Sequence, residues 1–350
     1  MGDLKRQHYV PQFYLKAFSN NDNKKVIGAF IKKSGEFISN APIKTQAYEN
    51  FFYGKDGAIE TSLSSIEGSA SIILKNISDT RLLPKKGSQE YGDLWLFVLL
   101  QMSRTKLAVK EQHDTLHSFL TEIATKIDEK FVENSERLEI KFENPAEINL
   151  KILQDTAFVA WDLDCKLLIN CTSTSFLTSD SPVCRYNQFS EKHNIPFGTY
   201  GLAVKGLQIF YPLNPGMTLM FYDSKVYKCK FKNRTSIELT EKHDIDQLNL
   251  LQILNSDEII YSDNTVDALY LNKIRERSIK YGLPRKFVTD ELKSNVIGKN
   301  KNGTIIYNTT LDYRIKLNLS ILKFSDHAKG YKLNGYAVEV RNEKYRSIKI

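Results

Sequence analysis

Arg6-Gln7-His8-Tyr9-Val10-Pro11-Gln12-Phe13-Tyr14-Leu15-Lys16-Ala17-Phe18 is an unusual opening segment. Chain starts are as a rule frayed and polar. This one carries a His, two Gln and a run of aromatic and aliphatic side chains, so it is expected to be tied into a core. Pro11 suits the first turn of a helix, where a missing N–H is no loss. From there Tyr14, Leu15 and Phe18 share a buried helical face. His8 and Gln12 are left near the helix entry, where free backbone N–H groups attract anions.

Outward from that segment, the 350-residue chain is long enough to bury a large core in one or two domains. Its 41% hydrophobic and 26% charged residues are ordinary for a soluble globular protein. The longest strongly apolar run, Trp95-Leu96-Phe97-Val98-Leu99-Leu100, is far too short to span a bilayer. No apolar stretch follows Lys5-Arg6, so no signal peptide is expected. Four cysteines without a C-x-x-C pair read as reduced thiols of a cytoplasmic protein. The net charge of +8 is unevenly placed: residues 273–350 hold 18 Lys/Arg against 7 Asp/Glu, and the rest hold 31 against 34. Such asymmetry points to a polyanion partner, most naturally nucleic acid, or to a lysine-rich solvated surface.

Val26–Ile31 and Glu36–Ile38, joined through Lys33-Ser34-Gly35, read as a β-hairpin. An amphipathic helix is expected over about residues 58–77, with Ile59, Leu63, Ile66, Ala70 and Ile73 at helical spacing. Glu60 and Glu67 share a face of it, as metal ligands, as partners for a buried Arg, or as a solvated flank. A long helix over about residues 88–132 comes next, interrupted on its apolar face by Ser103-Arg104-Thr105. An Arg following so buried a run needs a carboxylate or phosphate partner, and Glu60 and Glu67 are natural ones. His113 and His117 lie one turn apart, without the Glu that zinc helices place after the first His.

A helix over about residues 146–161 and a strand at residues 166–171 lead to Ser175-Phe176-Leu177-Thr178-Ser179-Asp180-Ser181-Pro182-Val183. This reads as a strand ending on Asp180, with a turn forced by Pro182. Two readings fit Asp180: a carboxylate presented for catalysis, or an Asx-turn capping its own loop. Residues 187–205 read as a loop or lid. Strands near residues 218–222 and 226–232 and helices near residues 245–256 and 263–281 complete this part. Beyond Gly282-Leu283-Pro284, apolar residues from Leu311 to Ile321 alternate strictly with polar ones, the pattern of a half-buried antiparallel strand. Arg314 and Lys316 on its solvent face are candidate nucleic-acid contacts. The expected fold class is α+β: a mixed helical core with antiparallel strands over residues 1–281, and a small basic antiparallel β extension over residues 282–350.

The opening segment resembles the H-x-V-P-x-x-Y-L-x-x-F motif of an uncharacterised, largely bacterial family known as domain of unknown function 4238. Further matches follow in order. Ile59-Glu60 and Ile66-Glu67 resemble its twin-Glu helix and Ser103-Arg104-Thr105 its Arg-Thr motif, although Lys106 replaces the Pro often found there. Phe176–Val183 is similar to its strand-end Asp-x-Pro motif, and Leu248-Asn249 to its late Asn-bearing helix. The resemblance spans roughly residues 5–275 and implies no assigned activity.

His, Glu, Arg, Asp and Asn are the residue types of hydrolytic and phosphoryl-handling sites. The first expectation is a nuclease-like hydrolase of phosphodiesters, in a defence or toxin setting. His8 would transfer the proton, Arg104 would stabilise the oxyanion, and Asp180 would serve both as a catalytic carboxylate and, with Glu60 and Glu67, as a ligand of Mg²⁺ or Mn²⁺. Gln12 and Asn249 would support the site. The alternative is a non-catalytic nucleic-acid or nucleotide sensor in which Arg104 pairs with Glu60 or Glu67 and His8 is a satisfied core histidine.

Overall fold

A computed structural model describes residues 5–20, 22–127, 144–195, 199–230, 234–281, 286–294, 303–311, 315–330 and 339–342. The fold is α+β, with two mostly antiparallel sheets set among helices. The opening segment forms β1 (Arg6–His8) and the short helix α1 (Gln12–Lys16), with Pro11 as its N-cap. Tyr14, Leu15 and Phe18 are buried, as their spacing predicts. The Tyr14 hydroxyl meets Thr178 Oγ1 at 2.6 Å and donates to the Pro212 carbonyl at 2.7 Å, so α1 bridges both sheets.

The predicted hairpin is present as β2 (Val26–Ile31) and β3 (Glu36–Pro42). Gly35 takes a φ of 76° in its turn, a conformation glycine enters without strain. β4 (Tyr48–Asn50) pairs with β1. α2 (Ala58–Thr80) follows the expected helical spacing. The long helix expected over residues 88–132 is instead broken at the Ser-Arg-Thr motif into α3 (Gln89–Ser103) and α4 (Lys106–Ile127), and each side chain of the motif makes a hydrogen bond of its own there. The Ser103 hydroxyl donates to the Leu100 carbonyl, and Thr105 Oγ1 accepts the Ala108 N–H at 3.2 Å as the N-cap of α4. Asn149, on α5 (Pro145–Thr156), donates to the freed Ser103 carbonyl at 2.9 Å.

One sheet takes its strands from β5 (Asp164–Asn170), β7 (Cys184–Tyr186), β8 (Gln208–Asn214), β9 (Met217–Tyr222) and β11 (Ser236–Leu239), in the order β11-β5-β9-β8-β7. The other has the order β3-β2-β12-β6, with β6 (Thr178–Ser179) and β12 (Ile259–Ser262). Between β7 and β8, residues 187–205 hold a short helix, α6 (Gln188–Lys192), and bury Phe189, Ile195, Tyr200 and Val204. β12 was not visible as a strand in the sequence, where four residues sit between two helical patterns. Helix α7 (Lys242–Asn255) is buried on almost every side. Its Asn249, Gln252 and Asn255 recur every three residues and hydrogen-bond the irregular segment 175–183, which has little ladder of its own. α8 (Ala268–Ile279) completes the span expected for the core.

Farther along, β13 (Lys286–Ser294) and β14 (Gly303–Leu311) form an antiparallel pair. The alternation that follows is real as burial but not as a strand: Ile315, Leu317, Leu319 and Ile321 are buried and Lys316, Asn318 and Ser320 exposed, without strand pairing. Side chains take the place of a neighbouring strand. The Lys316, Leu317 and Ser320 N–H groups donate to Glu191, Tyr186 and Asp244, each at 2.8 Å. These apolar residues join the hydrophobic cluster around α7. β15 (Leu322–Phe324) pairs with β10 (Tyr227–Cys229), and α9 (Asp326–Lys329) follows. Arg341 anchors to Asp162 and to the carbonyls of Leu202 and Val204.

Candidate functional site

Arg104 is fully buried where α3 ends. Its Nη1 donates to Glu67 Oε1 at 2.7 Å, and its Nε and Nη2 both donate to Gln101 Oε1, at 3.1 and 3.0 Å. Gln101 passes the connection on, donating to the Tyr9 carbonyl at 3.0 Å. A buried guanidinium is tolerable only when paired and hydrogen-bonded, and both conditions are met here. Gln7 adds the next wall: it accepts the Tyr53 N–H at 2.6 Å and donates to the Gly54 carbonyl at 2.9 Å. That clamp seats the buried Tyr53, whose phenol is pushed up by burial, offset by Arg104 and reinforced by Glu60 and Glu67.

His8 lies beside this group on β1, opposite Tyr48 of β4, with the two rings 5.7 Å apart. Burial lowers its pKa, against the hydrogen bond to the Lys44 backbone carbonyl and the pull of Glu67. Nε2 is buried and has no hydrogen-bond partner among the described residues, so the Lys44 bond falls to Nδ1 and the neutral ring carries its proton there. Glu60 is half-buried, and its carboxyl is pushed up by burial and by Glu67, against Arg104. His8, Glu60, Glu67 and Arg104, taken from three separate stretches of sequence, therefore form one group.

Asp180 lies in another. Its Oδ1 accepts the Asp257 N–H at 2.9 Å, and its Oδ2 accepts those of Glu258 and Ile259 at 2.7 and 2.9 Å. The carboxylate thus holds the turn between α7 and β12, a tertiary counterpart of the Asx-turn. Burial pushes Asp180 up to about 6, against the three N–H groups that favour its anion. Lys32 is nearby, bonded to the Ser256 carbonyl at 2.8 Å, its own pKa lowered by burial. Tyr9 links the two groups: its carbonyl faces Gln101 and its phenol feels the Asp180 charge.

Asn249 belongs to neither group: it accepts the Leu177 N–H at 2.8 Å and donates to the Ser175 carbonyl at 2.9 Å. Gln12 is half-buried and hydrogen-bonds to neither group among the described residues. Lys316 is exposed, and Arg314 lies outside the described residues. Among the described residues no three His, Cys, Asp or Glu side chains gather as a metal site; the His113 and His117 rings stack at 6.2 Å. The sequence reading missed Gln7, Tyr53 and Gln101. Gln101 had a signal: it is the one polar residue in an apolar run reaching from Trp95 to Met102, and such a residue needs a buried partner.

No helix among the described residues is long and apolar enough to cross a membrane. No curated protein and no solved structure matches the chain. The family described as Protein of unknown function (DUF4238) matches residues 6–265, a span that takes in the opening segment and both polar groups, and the chain belongs to that family.

Proposed function

We propose that the protein binds nucleic acid or a nucleotide, and that the Arg104 and Asp180 groups hold its fold. One contrast carries this reading. Arg104 is buried and saturated by Glu67 and Gln101, and Asp180 by three amides, whereas cationic side chains such as Lys316, Lys323 and Lys329 stand in solvent. Cations displayed in this way neutralise phosphates and release their counterions. Fluorescence anisotropy of labelled RNA and DNA over a salt series tests it. Binding should weaken linearly in log salt, and Lys316→Glu/Lys323→Glu should flatten the slope by about 0.9 for each phosphate no longer neutralised. Salt-independent binding, or none, overturns the reading. Deleting residues 283–350 would not serve as the control, because Ile315, Leu317, Leu319 and Ile321 are part of the core.

A second reading, the nuclease-like hydrolase, is favoured by the unpartnered Nε2 of His8 and the raised carboxyl of Glu60. His8 would accept the proton once its ring turns outward. Glu60 and Glu67 would receive Mg²⁺ or Mn²⁺, with the substrate phosphate and water completing the shell. Labelled RNA and DNA incubated with either metal decides it: cleavage lost in His8→Ala supports the reading, and no cleavage by the unaltered protein sinks it.

A further inference from the structure

A cleft of about 920 Å³ opens where the loop between α2 and α3 faces β5, β9 and β10. Its size falls within the roughly 300–1,000 Å³ of small-ligand sites. It lies at the far end of α3 from Arg104, about 20 Å away at the 1.5 Å rise of a helix, since Tyr91 is one of its lining residues.

Four lysines line it, in different states of engagement. Lys86 is committed to the Leu163 carbonyl at 2.8 Å and to Asp164 at 3.0 Å, and Lys166 bonds the Arg234 carbonyl. Lys85 is exposed and has no side-chain partner among the described residues. Lys228 pairs with Asp326, but both side chains are more than half exposed, so the pair is weak and exchangeable. Lys228 also stands directly opposite Lys323 in the β10–β15 ladder, with both residues exposed. Like charges so placed repel, and a bound anion removes that repulsion.

The tyrosines supply the rest. The hydroxyls of Tyr91 and Tyr222 have no hydrogen-bond partner among the described residues, and both feel the charge of Asp164. Trp161 meets Tyr91 edge-on at 5.5 Å and is partly exposed. Open cations beside the hydroxyls of two tyrosines whose rings are themselves buried, next to the Lys86-paired Asp164, match a phosphorylated ligand that also carries hydrogen-bonding groups.

We propose that this cleft binds a nucleotide, its phosphates on Lys85 and Lys228 and its base and sugar against Tyr91, Tyr222 and Asp164. The proposal rests on the nucleic-acid- or nucleotide-binding reading above and names where one unit of that ligand sits. Calorimetric titration of the full chain with ATP, a twelve-residue oligothymidylate and inorganic tripolyphosphate tests it. Lys85→Glu and Lys228→Glu alter exposed side chains and leave the fold intact. Each should weaken binding of ATP or the oligonucleotide at least about tenfold, and Tyr222→Phe should weaken it less. Preference for ATP identifies a free nucleotide, and preference for the oligonucleotide a unit of a strand; either supports the site. Tripolyphosphate binding as tightly as ATP, or affinities unchanged in both lysine variants, overturns it. If Lys316→Glu/Lys323→Glu still weakens oligonucleotide binding while both cleft variants bind normally, the cleft fails and the broader reading stands; if nothing binds, both fail.

Discussion

Helix α3 carries polar chemistry at both ends, in opposite states. At its C-terminal end Arg104 is sealed in a shell of Glu67, Gln101 and Tyr53. At its N-terminal end Tyr91 looks into a cleft where Lys85 has no side-chain partner among the described residues and Lys228 is loosely held. Residue type alone would rank the first end as the reactive one, since it has the His, the Glu pair and the Arg. Saturation reverses the ranking. An ion whose donors and acceptors are already used defines one packing arrangement, whereas an open ion waits for a ligand. Substitutions at the two ends should therefore separate stability from binding.

Arg104→Ala should have the largest effect. It leaves Glu67 without its partner and the Gln101 carbonyl oxygen buried with no donor, a loss of about 3–5 kcal/mol. Urea denaturation measures it. Arg104→Lys should recover little, because a lysine cannot place two donors on Gln101 and a third on Glu67. A variant that unfolds at the same urea concentration as the parent would show that this end of α3 is not a structural keystone.

Leu317→Ala should come next, at about 2–5 kcal/mol, since Leu317 is buried in the cluster around α7. An effect below about 0.5 kcal/mol would mean that residues 315–321 are an appendage. This segment also marks how far the sequence could be read. Period-two alternation reported correctly which side chains are buried, but not what pairs with the backbone, because Glu191, Tyr186 and Asp244 come from distant segments. Arg104 was legible for a related reason: a charge at the end of an apolar run must be compensated, and Glu67 was a foreseeable partner. Asp180 was not, since three amides that exist as donors only in the folded turn satisfy it. The β12 strand escaped for want of length, as four residues cannot show a period.

Asp180 and His8 should respond oppositely to pH. Asp180, raised to about 6, holds its proton more tightly folded than unfolded. Its contribution therefore grows as pH falls from 7 towards 5 and is lost as pH rises through 6. His8, lowered by burial, binds its proton less tightly when folded. Its contribution is present above the usual imidazole pKa and is lost on acidification. Asp180→Asn should cost about 1–3 kcal/mol at pH 7 by setting an amide N–H₂ against amide donors. Its deficit relative to the parent should widen towards pH 5, while that of His8→Gln should narrow. Denaturation midpoints from pH 5 to 8 check both; parallel curves would place neither group in its buried state.

The smallest effect is expected at the open end. Lys85→Ala removes an exposed side chain with no partner among the described residues, so stability should change by less than about 0.5 kcal/mol. ATP or oligonucleotide affinity, read by calorimetry on the same preparation, should nevertheless drop. That combination is what separates a ligand-binding side chain from a structural one, because a side chain that the fold does not use is free to serve something else. A Lys85→Ala variant that melts early but binds normally would reverse the assignment, making the loop before α3 part of the scaffold and leaving the cleft without its leading cation.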